Sequence, residues 1–201
     1  MAMADFPKYG YHRLRLGWGS LPGQMYLLTT VTAQRKAYFL DKELALTAAT
    51  MLSRAETWLP NRCLSWVLMP DHCHALVELG EGSDLSRVMQ KVKGNIAHRA
   101  RTDRLINDTL WAKGFHDHAL RRDESVLEVV RYIVANPVRA GLARDVGDYP
   151  YWGVNFDGRL EGFNTRIPQT SMTDPARCGS GFGGSGFSRD RPGAIRKKHR
   201  D

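Results

Sequence analysis

Short apolar runs divide the central part of the chain into elements of strand length. Residues 25–32 are rich in Leu, Thr and Val, and residues 63–69 form a short apolar run that is followed by residues 72–79; these patterns are typical of β-strands. Pro70 and Asp71 separate the second run from the third and predict a tight turn. We therefore expect these two strands to form a hairpin.

Longer segments carry apolar residues at helical spacing and begin with capping residues. Asp41 is the expected N-cap of a first helix that runs to about Trp58. Ser83 or Asp84 is expected to cap a second helix that ends near Arg101, and the exposed side of this helix is basic.

A third helix is expected after a loop and a fourth strand within residues 111–122. Asp123 is its expected N-cap, and Pro137 should end it at about Asn136, because proline cannot continue a helix and restricts the residue before it. Its apolar stripe consists of Val126, Val129, Val130 and Ile133.

The order of elements is strand, helix, two strands, helix, strand, helix. Because the two hairpin strands are antiparallel and the helices can cover one face, this order predicts an α+β, ferredoxin-like antiparallel sheet with helices packed on it.

The two ends of the chain differ from this central part. Residues 1–23 form a basic and aromatic arm that includes Arg13 and Arg15; it could contact bases and phosphates or pack on the core. Residues 156–201 are rich in Gly and Ser and carry RKKHR at 196–200, so we expect a flexible basic tail.

The charge balance favours a polyanionic partner. The 201 residues include 29 Lys and Arg against 21 Asp and Glu, a formal charge of +8, which suits nucleic acid but also an unspecific basic protein. Cys63, Cys73 and Cys178 form no Cys-x-x-Cys pair, so no disulfide framework or zinc knuckle is expected. The absence of a run of about 20 apolar residues argues against a membrane span, and we expect a cytoplasmic protein.

Two histidines lie two positions apart in the strand after the predicted turn. Because side chains alternate along a strand, His72 and His74 should share one face and Cys73 the other. Two imidazoles on one face can hold Mg²⁺ or Mn²⁺ when oxygen ligands complete the coordination. The alternative is two histidines on an ordinary polar surface.

The third helix brings a tyrosine and an asparagine to one side. Tyr132 and Asn136 are four residues apart and are therefore neighbours on the helix surface, beside the apolar stripe. From there a phenol and an amide oxygen could approach the histidines on the sheet. The alternative is a tyrosine at the rim of the core and an asparagine that only ends the helix.

Three motifs follow one another along the chain. They are WVLMPDHCHALV at 66–77, GFHDHALRRDES at 114–125 and VVRYIVANPVRAGL at 129–142. In this order they resemble the single-tyrosine HUH transposases, in which two histidines flank an apolar residue, and especially the branch associated with repetitive extragenic palindromes. The resemblance covers about residues 11–152. Cys73 replaces a larger apolar residue of the family, and Asn136 stands where insertion-sequence relatives carry Gln.

The resemblance implies the HUH endonuclease fold for residues 24–155 and a metal-dependent reaction. His72, His74 and Asn136 would hold a divalent metal, Mg²⁺ or Mn²⁺, and Tyr132 would attack the scissile phosphate. A 5′-phosphotyrosyl intermediate and a free 3′-hydroxyl would result, and rejoining would need no ATP. We expect an endonuclease and strand transferase that acts on single-stranded or hairpin DNA.

Basic side chains near the motifs are candidate phosphate contacts. His116 and His118 also form a second His-x-His pair, a rival metal site; we favour DNA contact or a structural role, because the tyrosine helix matches the first pair better. The candidate DNA-binding residues are Arg13, Arg15, Lys91, Lys93, His118, Arg121, Arg122, Arg131 and Arg139.

Two other functions stay open. A domesticated, hairpin DNA-binding regulatory protein would keep the fold without catalysis, and a metal hydrolase that uses water would not need Tyr132. We expect a monomer that carries its own tyrosine; a dimer with exchanged tyrosine helices, as in insertion-sequence relatives, is the alternative.

Overall fold

The computed structural model describes residues 21–155, so the predicted tail and nearly all of the predicted arm lie outside the described residues. One five-stranded sheet runs through this part, with the order β4-β1-β3-β2-β5 and antiparallel pairing between all neighbours. The strands are β1 (Met25–Val31), β2 (Arg62–Met69), β3 (His72–Glu78), β4 (His116–Ala119) and β5 (Trp152–Val154).

Five α-helices and three short 3-10 helices accompany the sheet in the described residues. The α-helices are α1 (Lys42–Ser53), α2 (Ala55–Trp58), α3 (Leu85–Thr102), α4 (Val126–Val134) and α5 (Asn136–Arg139). The 3-10 helices are Ala33–Arg35, Tyr38–Leu40 and Val146–Asp148.

The ferredoxin-like prediction is confirmed by the first four strands. β3 lies between β1 and β2, and β4 adds to the free edge of β1, which is the order that two interleaved βαβ units produce. β5 was not predicted. It pairs with the edge of β2, and its Gly153 lies against the indole of Trp66, where a Cβ would come within 2.5 Å of the ring nitrogen.

The first predicted helix is interrupted, so the prediction of one continuous helix is wrong, although its second part, α2, does end at Trp58. Asp41 does cap α1, accepting from the amide of Leu44 at 3.0 Å, but Arg54 adopts extended dihedrals and separates α1 from α2. The indole of Trp58 donates to the carbonyl of Leu52 at 2.9 Å. This bond satisfies one of the carbonyls that the end of a helix leaves unpaired.

The second predicted helix is confirmed as α3. Asp84 is its N-cap, because the carboxylate accepts from the amide of Arg87 at 3.0 Å, and the helix ends at Thr102.

The predicted cap and end of the third helix are both wrong. Ser125, not Asp123, caps α4, because Glu124 folds back onto the amide of Arg121 at 2.7 Å and holds that segment in a turn. α4 ends at Val134, and Pro137 lies in the first turn of α5. A proline is tolerated there because its missing N–H has no helical partner.

Helices cover both faces of the sheet, so the prediction that they share one face is wrong. α1 and α3 pack on one face around a cluster that includes Leu28, Leu68 and Ala75. α4 packs on the other face, where Val129, Val130 and Ile133 contact apolar side chains of the central strands. The apolar stripe predicted for the third helix is therefore the surface of α4 that packs on the sheet.

None of the helices between residues 21 and 155 combines the length and apolar character needed to cross a bilayer.

Replacement of Ile133 by Ala should destabilise the protein, because Ile133 is 0% exposed under α4. We expect the free energy of unfolding to fall by about 2–5 kcal/mol, the usual cost of such a cavity, in urea denaturation. Leu46→Ala on α1 is the control: Leu46 is 62% exposed, and its replacement should change stability by less than about 0.5 kcal/mol. Equal losses in the two variants would contradict the packing of α4.

Candidate active site

The pairing of β3 decides which face of the sheet carries the two histidines. His72 and His74 pair with Met69 and Val67 of β2, and paired residues share a face. Met69 and Val67 belong to the cluster beneath α4. His72 and His74 therefore lie on the face covered by α4, as their two-residue spacing predicted, whereas Cys73 is buried on the face of α1 and α3.

His74 is held by a side chain of the neighbouring strand. Thr29 of β1 pairs with His74, and its Oγ1 lies 2.8 Å from the imidazole Nδ1. Burial, and after it the electrostatic effects of His72, Arg139 and Arg35, together lower the pKa of His74 to about 3, against a smaller opposing effect of Asp71. The ring is therefore neutral at physiological pH, which is the form that binds metals.

His72 is held by the residue that precedes it. Its Nδ1 bonds to Oδ1 of Asp71, and Asp71 in turn accepts from the guanidinium of Arg35 at 3.3 Å. Burial acts to raise the pKa of Asp71, but the hydrogen bonds and charges of His72 and Arg35 outweigh burial and lower it. The ionised carboxylate can therefore fix the orientation of the imidazole.

Together the two rings meet the requirements of a metal-binding pair. Their centroids are 4.9 Å apart, in an edge-on arrangement. Each Nδ1 bonds to Thr29 or Asp71, so each Nε2 is the nitrogen left for coordination. Histidines that bind metals usually donate their other ring nitrogen in this way.

Asn136 offers the remaining ligand of the predicted set. Its amide nitrogen donates to the carbonyls of Tyr132 and Ile133, both at 3.2 Å, so the amide oxygen is the atom suited to a cation. No group of three or more His, Cys, Asp or Glu in residues 21–155 could hold a metal ion. Two imidazoles and an amide fit a divalent cation only if water or substrate oxygens complete its shell.

Tyr132 and Asn136 lie where α4 gives way to α5. Tyr132 is partly buried and packs against the cluster between α4 and the sheet, on the face that carries the histidines. The guanidinium carbon of Arg139 lies over its ring, 3.9 Å from the centroid. The charge of Arg139 also lowers the pKa of His74. The helix junction and the histidine pair therefore interact electrostatically.

The predicted DNA-binding residues are divided between several surfaces. Arg121, Arg122 and Arg131 are exposed around α4, whereas the imidazole of His118 bonds to Glu124 at 3.0 Å. Arg139 lies beside Tyr132 rather than on the open surface. Arg13 and Arg15 lie outside the described residues.

Lys91 and Lys93 lie on α3, on the opposite side of the sheet from the histidines. Lys91 donates to the carbonyl of Leu59 at 3.0 Å, and Lys93 to the carbonyls of Ala112 and Gly114 at 2.7 and 2.6 Å. Both ammonium groups thus bond to backbone, and their contact with DNA stays a prediction.

Sequence reasoning missed Thr29, Asp71 and Arg35 as parts of this site. The Pro70-Asp71 pattern predicts only a turn, although Asp71 directly precedes the first histidine. Thr29 could be found only from the pairing of β1 with β3. Arg35 reaches Asp71 from the 3-10 helix Ala33–Arg35, in which Gln34 and Arg35 both have positive φ, a conformation that the residue types do not indicate.

Comparisons with known proteins agree with the predicted resemblance. The family model described as "Transposase IS200 like" matches residues 21–136. A REP-associated tyrosine transposase of Escherichia coli K12 is 31% identical over 88 residues, which are 43% of this chain. The match spans only 50% of that relative's length.

A Haemophilus influenzae protein whose name carries the same description, qualified as provisional, is 23% identical over 149 residues, or 69% of this chain and 84% of the relative. A solved structure of the REP-associated tyrosine transposase bound to a REP hairpin matches with a TM-score of 0.55 and 22% identity. It covers 78% of this chain and 96% of the other, and it shows that the two share a fold.

Acid should destabilise the metal-free protein through His74. The unfolded imidazole binds a proton below its ordinary pKa near 6.5, but the folded one binds it only near pH 3. Stability is therefore lost progressively as the pH falls through that window. Between pH 7 and pH 4.5, in EDTA, His74→Gln should lose about 1–2 kcal/mol less unfolding free energy than the wild type. His98→Gln, at an exposed position of α3, is the control; identical losses in all three proteins would contradict this assignment.

Proposed function

The chain belongs to the IS200-like transposase family, and from that premise we propose that it is a metal-dependent endonuclease and strand transferase acting on single-stranded or hairpin DNA. The observation that carries the proposal is the packing of α4 on the sheet face that bears His72 and His74. Tyr132 and the proposed metal-binding pair thus share one face of the sheet within one chain, which supports the proposal.

His72, His74 and Asn136 are the proposed ligands of one divalent cation, Mg²⁺ or Mn²⁺. When bound, such an ion would supply Lewis-acid stabilisation of the charge that develops on the scissile phosphate. Thr29 and Asp71 orient the imidazoles through their Nδ1 atoms. This second layer of hydrogen bonds supports the proposal, because ligating histidines depend on it.

Tyr132 is the proposed nucleophile. Its phenol oxygen forms a bond to phosphorus while the bond from phosphorus to the 3′ oxygen of the preceding nucleotide breaks. The phenolic proton passes to water, and the leaving oxygen takes a proton to become a 3′-hydroxyl. Attack of a 3′-hydroxyl on the 5′-phosphotyrosyl bond reverses the step, so strand transfer needs no ATP.

The proposed DNA partner follows from charge and from the relatives. The chain carries a net charge of +8. Arg121 and Arg122 precede α4 and Arg131 lies on it, and all three are exposed, so they can neutralise phosphates. A similar fold is bound to a REP hairpin in a solved structure. We extend that substrate class to this chain and propose a monomer in the cytoplasm, where the free thiols of Cys63 and Cys73 stay reduced.

Tyr132→Phe should abolish the covalent adduct while DNA binding persists, because only the attacking oxygen is removed. A labelled hairpin, incubated with protein and Mn²⁺ or Mg²⁺ and run on a denaturing gel, measures the adduct, which should fall at least about 1,000-fold. The dissociation constant from gel shift should change less than about threefold.

Tyr38→Phe is the matched control, because Tyr38 packs against the cluster on the other face of the sheet; it should react like the wild type. Cleavage that survives in Tyr132→Phe without an adduct would favour a hydrolase that uses water. Binding without any adduct, even by the wild type, would favour a regulatory DNA-binding protein.

Asp71→Asn should weaken Mn²⁺ binding by about 10- to 100-fold, because a neutral amide orients His72 less firmly than an ionised carboxylate. Isothermal titration with Mn²⁺ on the DNA-free protein measures this affinity. Asp108→Asn is the control, since Asp108 is exposed and pairs only at 3.7 Å with Lys36. Unchanged Mn²⁺ affinity in Asp71→Asn would count against the assignment of His72 as a ligand.

A further inference from the structure

Arg139 and Tyr132 stack across the junction of two helices. They are seven positions apart, close to two helical turns, and so lie on the same side of the chain. α4 ends at Val134 and α5 begins at Asn136. Despite this break, Tyr132 on α4 and Arg139 on α5 still lie on the same side of the chain. The guanidinium carbon of Arg139 lies 3.9 Å from the centroid of the phenol ring, within the range of a cation–π contact.

The surroundings of Arg139 distinguish it from the exposed arginines of the predicted DNA surface. Its side chain is partly buried, and burial lowers its pKa, while the neighbouring Tyr132 acts in the opposite direction. Its positive charge also acts on His74. The guanidinium therefore lies against the phenol ring and acts electrostatically on His74, whereas Arg131 is exposed.

A planar cation over the ring restricts the phenol. A tyrosine side chain turns about two bonds, and a guanidinium stacked on one ring face, with the core packed beside it, limits both rotations. An ammonium group keeps the charge but cannot stack as a plane. The contact is therefore specific to arginine and acts on the orientation of the residue proposed to attack phosphorus.

We propose that Arg139 is a positioning residue for the nucleophile, which stacks on Tyr132 and directs its phenol oxygen towards the histidine face. The inference rests on the proposed function, because it needs Tyr132 as the attacking residue. It differs from the assignment of Arg139 as a phosphate contact: a phosphate contact changes mainly the affinity for DNA, whereas a positioning residue changes mainly the rate of the bound complex.

The test separates rate from affinity in three variants. Arg139→Gln should lower the single-turnover rate of adduct formation at saturating hairpin by about 10- to 100-fold, with a dissociation constant within about threefold of the wild type. Arg139→Lys should recover only part of the rate. Arg144→Gln, at an exposed position just after α5, should keep the wild-type rate.

Two kinetic outcomes would overturn the inference. One is an unchanged saturating rate in Arg139→Gln combined with weaker binding, which is the behaviour of a phosphate contact. The other is full recovery of the rate in Arg139→Lys, which would show that charge alone suffices. Near-UV circular dichroism checks that each variant is folded. If Arg139→Gln is not folded, the saturating rate of Arg139→Lys tests the inference in its place.

A readout without DNA keeps this inference distinct from the proposed function. The ring signal of Tyr132 in NMR spectra of the tyrosine-labelled protein is assigned by its loss in Tyr132→Phe. It should shift in Arg139→Gln and stay in place in Arg144→Gln, because Arg139 lies over the ring whereas Arg144 is exposed. If the wild type forms no adduct, the proposed function fails and positioning of a nucleophile fails with it. If the adduct forms but the ring signal does not respond to Arg139→Gln, only the present inference is overturned.

Discussion

Alternation of side chains along β3 is the constraint on which the site depends. Helices cover both faces of this central strand. Each side chain of β3 therefore faces either the core beneath α1 and α3 or the side that carries α4 and the site. A slip of one residue would send His72 and His74 into the apolar layer beneath α1 and α3 and would expose Cys73 to the site. The pairing of β3 with β1 and β2 thus fixes the face that carries the proposed metal ligands and also supplies Thr29 to orient His74.

The break between α4 and α5 gives the second half of the site. Asn136 uses its amide nitrogen to bond the carbonyls of Tyr132 and Ile133, and Pro137 begins the next helix without needing a donor. The chain can therefore leave α4 and bring Arg139 back over the ring of Tyr132. In this arrangement one short junction carries Tyr132 as the proposed nucleophile, Asn136 as a proposed metal ligand, and Arg139, whose guanidinium is proposed to position the nucleophile.

Apolar periodicity and capping residues predicted most helices and strands. They could not predict contacts between segments that are distant in the sequence. The strands with regular apolar content and the capping residues Asp41 and Asp84 could be read directly. β5 has only three residues, too few for a periodic signal, and the cap of α4 depends on Glu124 turning back to Arg121. The face chosen by α4 and the roles of Thr29 and Arg35 follow from tertiary pairing, which no local pattern contains.

His72 and His74, beneath α4, are the proposed binding site of the divalent cation on which the reaction depends. An anomalous difference map of crystals grown with Mn²⁺ tests this proposal. We expect a single strong peak coordinated by Nε2 of His72 and Nε2 of His74, on the side of the sheet that faces Tyr132 of the same chain. A peak at His116 and His118 instead, or coordination through the Nδ1 atoms that now bond to Thr29 and Asp71, would contradict it.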